Sequence, residues 1–384
     1  MNRIALLLIL LFPVSTFAAQ LSQDATISVL TCEPGDELYS VFGHSAIRVY
    51  EPGVFDVVYN YGTFEFSDDF YLKFAQGKLN YKLSKSGFPD FNYEYLMTNR
   101  AVTEQVLNLN LEEKQKVVDL LEENYLPENR YYLYDFFFDN CATRIRDILQ
   151  KALGDRMQFH SSFPADSISF RQMIQRYLGN MHWGDFGIDM ALGMPCDAKM
   201  KVGENMFLPD GIFEEFATAT LDGKPLVEQT NELLLSQEDL KMKPGMNQPL
   251  LLAIALALIA MLDALFHFTK RTQMVFIPRI IFLLFGIIGI LVLLLWVATD
   301  HTTTANNLNL IWASPLYLYF MVGLRKVQKE TGTFKKQAIR IYAVVLAILL
   351  LTGSFWPQEF HPTFYWLMLA PLFSLFRIGW ARMK

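Results

Sequence analysis

Among the residues of this 384-residue chain that could carry covalent chemistry, three cysteines and six histidines come first. Cys141 is set apart by its flanks. Asp139-Asn140 precede it and Ala142-Thr143-Arg144-Ile145-Arg146-Asp147-Ile148-Leu149 follow, so an Asp or Asn caps a helix whose apolar stripe is Ile145, Ile148, Leu149 and Ala152. The spacing predicts a helix from Ala142 to Leu153 with Cys141 at its first turn. There the unsatisfied N–H groups and the positive end of the helix dipole stabilise a thiolate. The competing reading is a small buried cysteine that packs a helix start. A thiolate nucleophile needs a base, and the best placed is His44, within Phe42-Gly43-His44-Ser45-Ala46-Ile47-Arg48-Val49-Tyr50. Alternation puts Ile47 and Val49 on one face of a strand and Phe42, His44 and Ala46 on the other. Gly43 permits another backbone to approach, which suits a helix start packed against this strand. The bland alternative is a strand histidine satisfied by one hydrogen bond. Asn60, in Val58-Tyr59-Asn60-Tyr61-Gly62, is the candidate to fix the ring's tautomer.

The elements that must hold these residues are short. Glu33-Pro34-Gly35 and Glu51-Pro52-Gly53 are turn signals, so Phe42–Tyr50 and Phe55–Tyr61 form a hairpin. Leu111, Val117, Val118, Leu120 and Leu121 predict an amphipathic helix over Leu111–Asn124. Trp183 through Asp189 is expected to form a turn-rich edge. Gly203–Gln248, with Leu208-Pro209-Asp210-Gly211 as a turn, is expected to lead the chain onward.

Composition divides the chain at Pro249. It carries 39 acidic and 33 basic residues, a net charge of −6, and is 52% hydrophobic. Residues 1–248 hold 35 acids and 21 bases, a net of −14; residues 249–384 hold 4 acids and 12 bases, a net of +8. A mean hydropathy of +0.21 thus averages an acidic body for water with a basic, apolar one for lipid, and excludes wholesale disorder. No basic patch among aromatics marks a nucleic-acid partner. Residues 1–19 read as a signal peptide: Arg3, the apolar run Ile4–Val14, then Thr16-Phe17-Ala18-Ala19. The expected divisions are 20–248 for an exported α+β domain and 249–384 for five spans, at Pro249–Phe268, Ile277–Ala298, Leu308–Leu324, Ile339–Gly353 and Thr363–Trp380. Lys and Arg follow spans one, three and five, while Asp300–Asn307 and Ser354–Pro362 have none. That asymmetry keeps the acidic domain outside the inner membrane. In an oxidising compartment Cys32 and Cys196 are the two thiols left to pair if Cys141 is reserved for chemistry.

Phe42-Gly43-His44-Ser45-Ala46-Ile47-Arg48 together with Asp139 through Asp147 resembles the Lnb N-terminal periplasmic domain family. Tyr59-Asn60-Tyr61-Gly62-Thr63-Phe64 and Tyr131–Phe138 share the likeness, which covers roughly 25–200. The tail resembles that of the full-length lipoprotein N-acyltransferases of Bacteroidota. The domain is also similar to circularly permuted papain-like folds of the NlpC/P60 and lecithin:retinol acyltransferase kind, where a strand His precedes an Asn-Cys at a helix start. The resemblance implies Cys141 as nucleophile, His44 as base and a phospholipid acyl chain passed through a thioester to a lipoprotein α-amine. Where the lecithin:retinol kind often has a second His, Asn60 stands. Asn140, Ser45 and Arg144 are the oxyanion- or substrate-contacting candidates, with backbone N–H groups at the helix start alongside. No cofactor is implied.

Two other functions fit the same residues: a membrane-tethered cysteine amidase or peptidase acting on peptidoglycan, and a non-enzymatic envelope scaffold. His160, His182, Asp185 and Asp189 lack metal-ligand spacing and read as structural. His301 and His361 read as loop residues in water. Asp263 lies inside a span, where it needs protein or water beside it. Trp296, Trp312, Trp356 and Trp380 read as an interfacial belt.

Overall fold

The computed structural model describes residues 20–65, 68–241, 245–270, 274–329 and 332–380. The proposed signal peptide and Arg271, Arg382 and Lys384 lie outside them. In chain order the first part comprises β1 (Thr26–Cys32), β2 (His44–Glu51), β3 (Phe55–Thr63), α1 (Phe70–Gln76), β4 (Asn80–Gly87) and α2 (Phe88–Met97). Then come β5 (Val102–Leu107), α3 (Leu111–Tyr125), β6 (Tyr131–Leu133) and α4 (Cys141–Leu153). β7 (Met157–Gln158), α5 (Phe170–Leu178), α6 (His182–Ala191), α7 (Pro209–Thr218), β8 (Thr220–Leu221), β9 (Lys224–Pro225) and β10 (Val227–Leu234) complete it.

Seven strands form one antiparallel sheet in the order β10-β5-β1-β2-β3-β4-β6. The expected hairpin is its centre, with Ile47 opposite Tyr59. Period-two alternation gives the sheet two faces. Ile27, Val29, Ile47, Val49 and Tyr59 pack with Val117 and Leu121 of α3 and Ile145 and Leu149 of α4. Leu30, Cys32, Ala46 and Val58 pack with Phe91 and Tyr95 of α2. Helix α4 forms where its stripe predicts, and Ile145, Ile148, Leu149 and Ala152 are all buried.

Three readings of this part are corrected. Trp183–Asp189 is helical, within α6, despite Gly184 and Gly187. Leu208-Pro209-Asp210-Gly211 is no turn: Pro209 opens α7, its fixed φ suited to a first helical position. Gly211 lets that helix lie against Asn205, where an added Cβ would come within 2.0 Å of the carbonyl oxygen. Gly203–Gln248 is no mere lead to the bundle, because β10 within it extends the main sheet beside β5.

The second part is helical: α8 (Gln248–Lys270), α9 (Phe276–Val297), α10 (Leu316–Met321), α11 (Leu324–Lys329), α12 (Phe334–Thr352) and α13 (Pro362–Trp380). Gln248–Lys270, Phe276–Val297 and Phe334–Phe355 are long and apolar enough to cross a membrane. Ala253, Ala257, Ala260 and Ala264 line the buried side of α8, which packs along α13, as small residues do where helices approach closely in lipid. The expected third span, Leu308–Leu324, is broken. It runs as a 3-10 turn at Leu308–Ile311, then α10, with Gly323 at φ +69° before α11. Its start folds tightly over α9, where a Cβ on Gly289 would lie 2.5 Å from the Ala313 oxygen. Trp312 is accordingly a buried bundle residue, bonded to Asn309 Oδ1 at 2.9 Å, and not part of an interfacial belt.

The bundle grips the sheet domain through helix α6. The last carbonyls of a helix have no partner inside it. Here Asn309 Nδ2 donates to the Asp189 and Met190 carbonyls at 3.1 and 3.2 Å, and Asn307 Nδ2 to those of Met190 and Ala191 at 3.0 Å each. Gly193 N–H donates to Thr303 O at 2.8 Å, so close that a Cβ at Gly193 would lie 1.8 Å from Ala305 O.

Candidate active site

Cys141 is the first residue of α4, and Asn140 is its cap. The Asn140 side chain accepts from the N–H groups of Ala142 and Thr143 at 2.8 and 3.0 Å. Thr143 Oγ1 in turn accepts from the Asn140 N–H at 2.8 Å, closing a capping box. Asn140 Nδ2 donates to the carbonyls of Phe136 and Phe207 at 2.6 and 2.8 Å. Buried and fully committed, the Asn140 side chain holds the helix start in place. Its reading as an oxyanion donor is corrected on that ground.

His44 opens β2, and two features of β3 bring it to Cys141. Asn60 Oδ1 is 2.5 Å from His44 Nε2, the tie expected of a residue that sets the tautomer. The β3–β4 register then slips between Asn60 and Thr63, and Gly62 adopts φ +83° there. Such a bulge re-aims a strand, and glycine takes that φ at least cost. A Cβ on Gly62 would stand 3.5 Å from Cys141 Cβ and 3.9 Å from His44 Cε1, so this glycine forms the floor between nucleophile and base. Gly43 admits another backbone, as expected, but the helix start beside it is that of α7. At φ +76° it lies under the Cys32 carbonyl and Pro209 at the start of α7, not under α4.

The electrostatics separate the three cysteines. Burial opposes ionisation of Cys141, but the adjacent His44 and the N–H groups of Ser45 and Ala142 outweigh it and hold the thiol below its ordinary 9.0. Burial works against a charge on His44 as well; the Cys141 sulfur and Asn60 reverse that and raise it above 6.5. Both shifts move the pair toward thiolate with imidazolium. Burial outweighs Tyr95 and Arg100 at Cys32 and Arg171 at Cys196, and pushes both thiols up to about 12. All three cysteines are free, and Cys32 and Cys196 are buried in different clusters, so the suggested pairing is not made.

The remaining candidates take other roles. Ser45 reaches the sulfur through its backbone N–H, while its hydroxyl is buried. Arg144 is bidentate to Asp139 and lies 4.0 Å over the Tyr132 ring, which fixes it at the rim of a cleft of about 320 Å³ shared with Asn124, Phe138 and Lys151. At the junction with the bundle, Asp185, Asp189 and His361 gather within 4.8 Å, a grouping that sequence separation concealed. Arg171 Nη1 and Gln175 Nε2 take the two Asp189 oxygens, and His361, buried and not in water, pairs with Asp185 at 3.1 Å. His160 and His182 lie apart, on Thr220 and the Gly245 carbonyl. Asp263 pairs with buried Arg377 of α13 at 2.7 Å, which supplies the company its span position demands.

The arrangement can generate a nucleophilic thiolate, with helix-start N–H groups beside it, at the end of the sheet that faces the bundle. The loop before Cys141 touches the bundle directly, through Thr302 Oγ1 and Asp135 Oδ2 at 3.4 Å. No curated protein matches the chain, and no solved structure does. Two family models match, the Lnb N-terminal periplasmic domain over residues 15–175, which takes in His44, Asn60 and Cys141, and the Lnb transmembrane domain over 241–384. With both parts matched in sequence, the chain belongs to the Lnb family and is a membrane protein with a periplasmic N-terminal domain.

Proposed function

We propose that the protein is a lipoprotein N-acyltransferase of the inner membrane that works through a Cys141 thioester. The observation that carries this reading is the Cys141–His44 pair, tied to Asn60 and set on the bundle side of a domain gripped by the bundle. In the first step the Cys141 thiolate attacks an ester carbonyl carbon of a phospholipid. The carbon–oxygen bond breaks, the lysophospholipid oxygen takes the proton from His44, and the acyl chain stays on sulfur. Ser45 and Ala142 N–H groups, now donors to the sulfur, are placed to share the tetrahedral oxyanion. In the second step the α-amine of a diacylglyceryl-cysteine attacks the thioester, His44 accepts its proton, and the thiolate leaves. Asn60 holds the imidazole, and Arg144 and Lys151 face the headgroup side of the small cleft.

The His-strand before Cys-helix order supports a permuted papain-like domain over 20–248, and the basic start, apolar run and small residues of the N-terminus support signal cleavage after residue 18 or 19. Broken α10–α11 and α13 serve as the third and fifth crossings of a five-span bundle. Rigid seating on the bundle disfavours a hydrolase that is merely tethered. The test is mass spectrometry of a native lipoprotein N-terminus from cells with and without this protein. Loss of the amide-linked acyl chain is expected. An unchanged N-terminus, with peptidoglycan cleaved by the protein, would overturn the reading.

A further inference from the structure

We propose that helix α1 is the entry surface for the acyl lipid, and that an aromatic seam behind it guides a long acyl chain from the outer leaflet to Cys141. The proposal rests on the acyl-transfer reading only for what happens at the end of the seam.

The connection between β3 and β4 leaves the site just past Gly62 and returns at Asn80, and α1 is its middle. Its last turn is fastened to the segment that follows α9. Asp300 N–H donates to the Gln76 carbonyl at 2.9 Å, and His301 Nε2 lies 2.9 Å from the Phe74 carbonyl. Asp300 is three residues beyond the end of a 22-residue apolar helix, so α1 rests at the height where that helix leaves the hydrocarbon. At this level α1 exposes two large apolar side chains, Leu72 at 61% and Phe74 at 53%, on either side of a Lys73 that is paired with Asp69. Water is a poor solvent for that pair, and the boundary of an acyl layer is a good one.

From Phe74 the rings run inward without a gap. Phe74 stacks on Phe70 at 6.4 Å between centroids, Phe70 meets Phe64 at 5.3 Å, Phe64 meets Tyr81 at 5.4 Å, and Tyr81 stacks on Tyr134 at 4.3 Å. Tyr134 and Cys141 pack against the same apolar core. One end of the seam is at the membrane and the other at the nucleophile. An acyl chain laid along it exchanges lipid for ring faces, with little loss of apolar contact.

The test uses the full-length protein in vesicles of phosphatidylethanolamine and phosphatidylglycerol. Phe74→p-benzoylphenylalanine should cross-link to phospholipid on irradiation, whereas the same probe at Val54, in the turn at the opposite end of the hairpin, should not. Absence of lipid adduct at 74, or equal labelling at 54, overturns the proposal. Repeating the labelling in a Cys141→Ala background separates the two readings, since lipid contact at 74 does not depend on acyl transfer. A kinetic arm uses Leu72→Asp with Phe74→Asp. Acylation of Cys141 should fall at least about tenfold more with vesicle phospholipid than with a water-soluble short-chain ester. Equal losses on both donors would mean that α1 merely supports the fold.

Discussion

Two polar clusters in this molecule are built on helix ends, and they differ in what is left over. At the start of α4, Cys141 faces His44 with a lowered pKa, partly buried and bonded only by a base and by backbone N–H groups. At the end of α6 the terminal carbonyls and the Asp189 carboxylate are engaged. Arg171, with no exposed surface, joins Asp189, Asp197 and the Leu192 and Gly193 carbonyls. Asn307 and Asn309 take the helix's terminal oxygens. The first cluster keeps a nucleophile in reserve, and the second uses most of its polarity to fasten two bodies together. Satisfied polarity makes architecture, and polarity held short of satisfaction makes chemistry.

Breaking the first cluster should have the largest effect. His44→Gln should slow acylation of Cys141 by ~10²–10⁴-fold, read by intact-mass kinetics. It should also change the pH dependence of iodoacetamide alkylation. In the native protein the thiolate persists above its own lowered titration point and is lost as pH falls through it. Without His44 the reactive form should appear only as pH climbs toward an ordinary thiol. Near neutral pH the native protein should therefore alkylate faster than the variant.

Breaking the second cluster should damage stability and leave the thiol alone. Arg171→Met strands the buried Asp189 carboxylate, at a cost of ~3–5 kcal/mol, measured by thermal unfolding in detergent. The alkylation profile of Cys141 in the surviving folded protein should match the native one. Asn60→Ala sits between these extremes: the fold is kept and acylation drops about tenfold, with Asn60→Asp restoring part of it. The smallest effect belongs to Asn140→Ala, which removes a cap worth ~1–2 kcal/mol. Its thiol should move toward the ordinary value as the helix start loosens, a shift visible in the same alkylation profile.

The first cluster was legible in the amino-acid sequence because its signals are local. A cap next to a periodic stripe placed Cys141, strand alternation placed His44 on its face, and the neighbouring strand of the expected hairpin offered Asn60. Gly62 escaped notice, since its left-handed φ arises from a register slip against β4 that only tertiary pairing creates. The second cluster was illegible for the same kind of reason. Asp185 and His361 are far apart in the chain, and α6 carries two glycines that weaken intrinsic helix preference, so the bundle's asparagines supply what local propensity lacks. Strand β10 was missed because most of Val227–Leu234 is polar, as an edge strand can be. Hydropathy also read Leu308–Leu324 as one span. It counts apolar residues and cannot see that Asn309 turns back to bond Asp189 and Met190 of the periplasmic domain.

The central claim is that Cys141 carries the acyl chain, and intact-protein mass spectrometry of the full chain incubated with phospholipid vesicles tests it most directly. One acyl group should appear, map to Cys141, leave on treatment with neutral hydroxylamine and be absent in Cys141→Ala. A native protein that gains no acyl mass, or a Cys141→Ala variant that gains the same one, would contradict it.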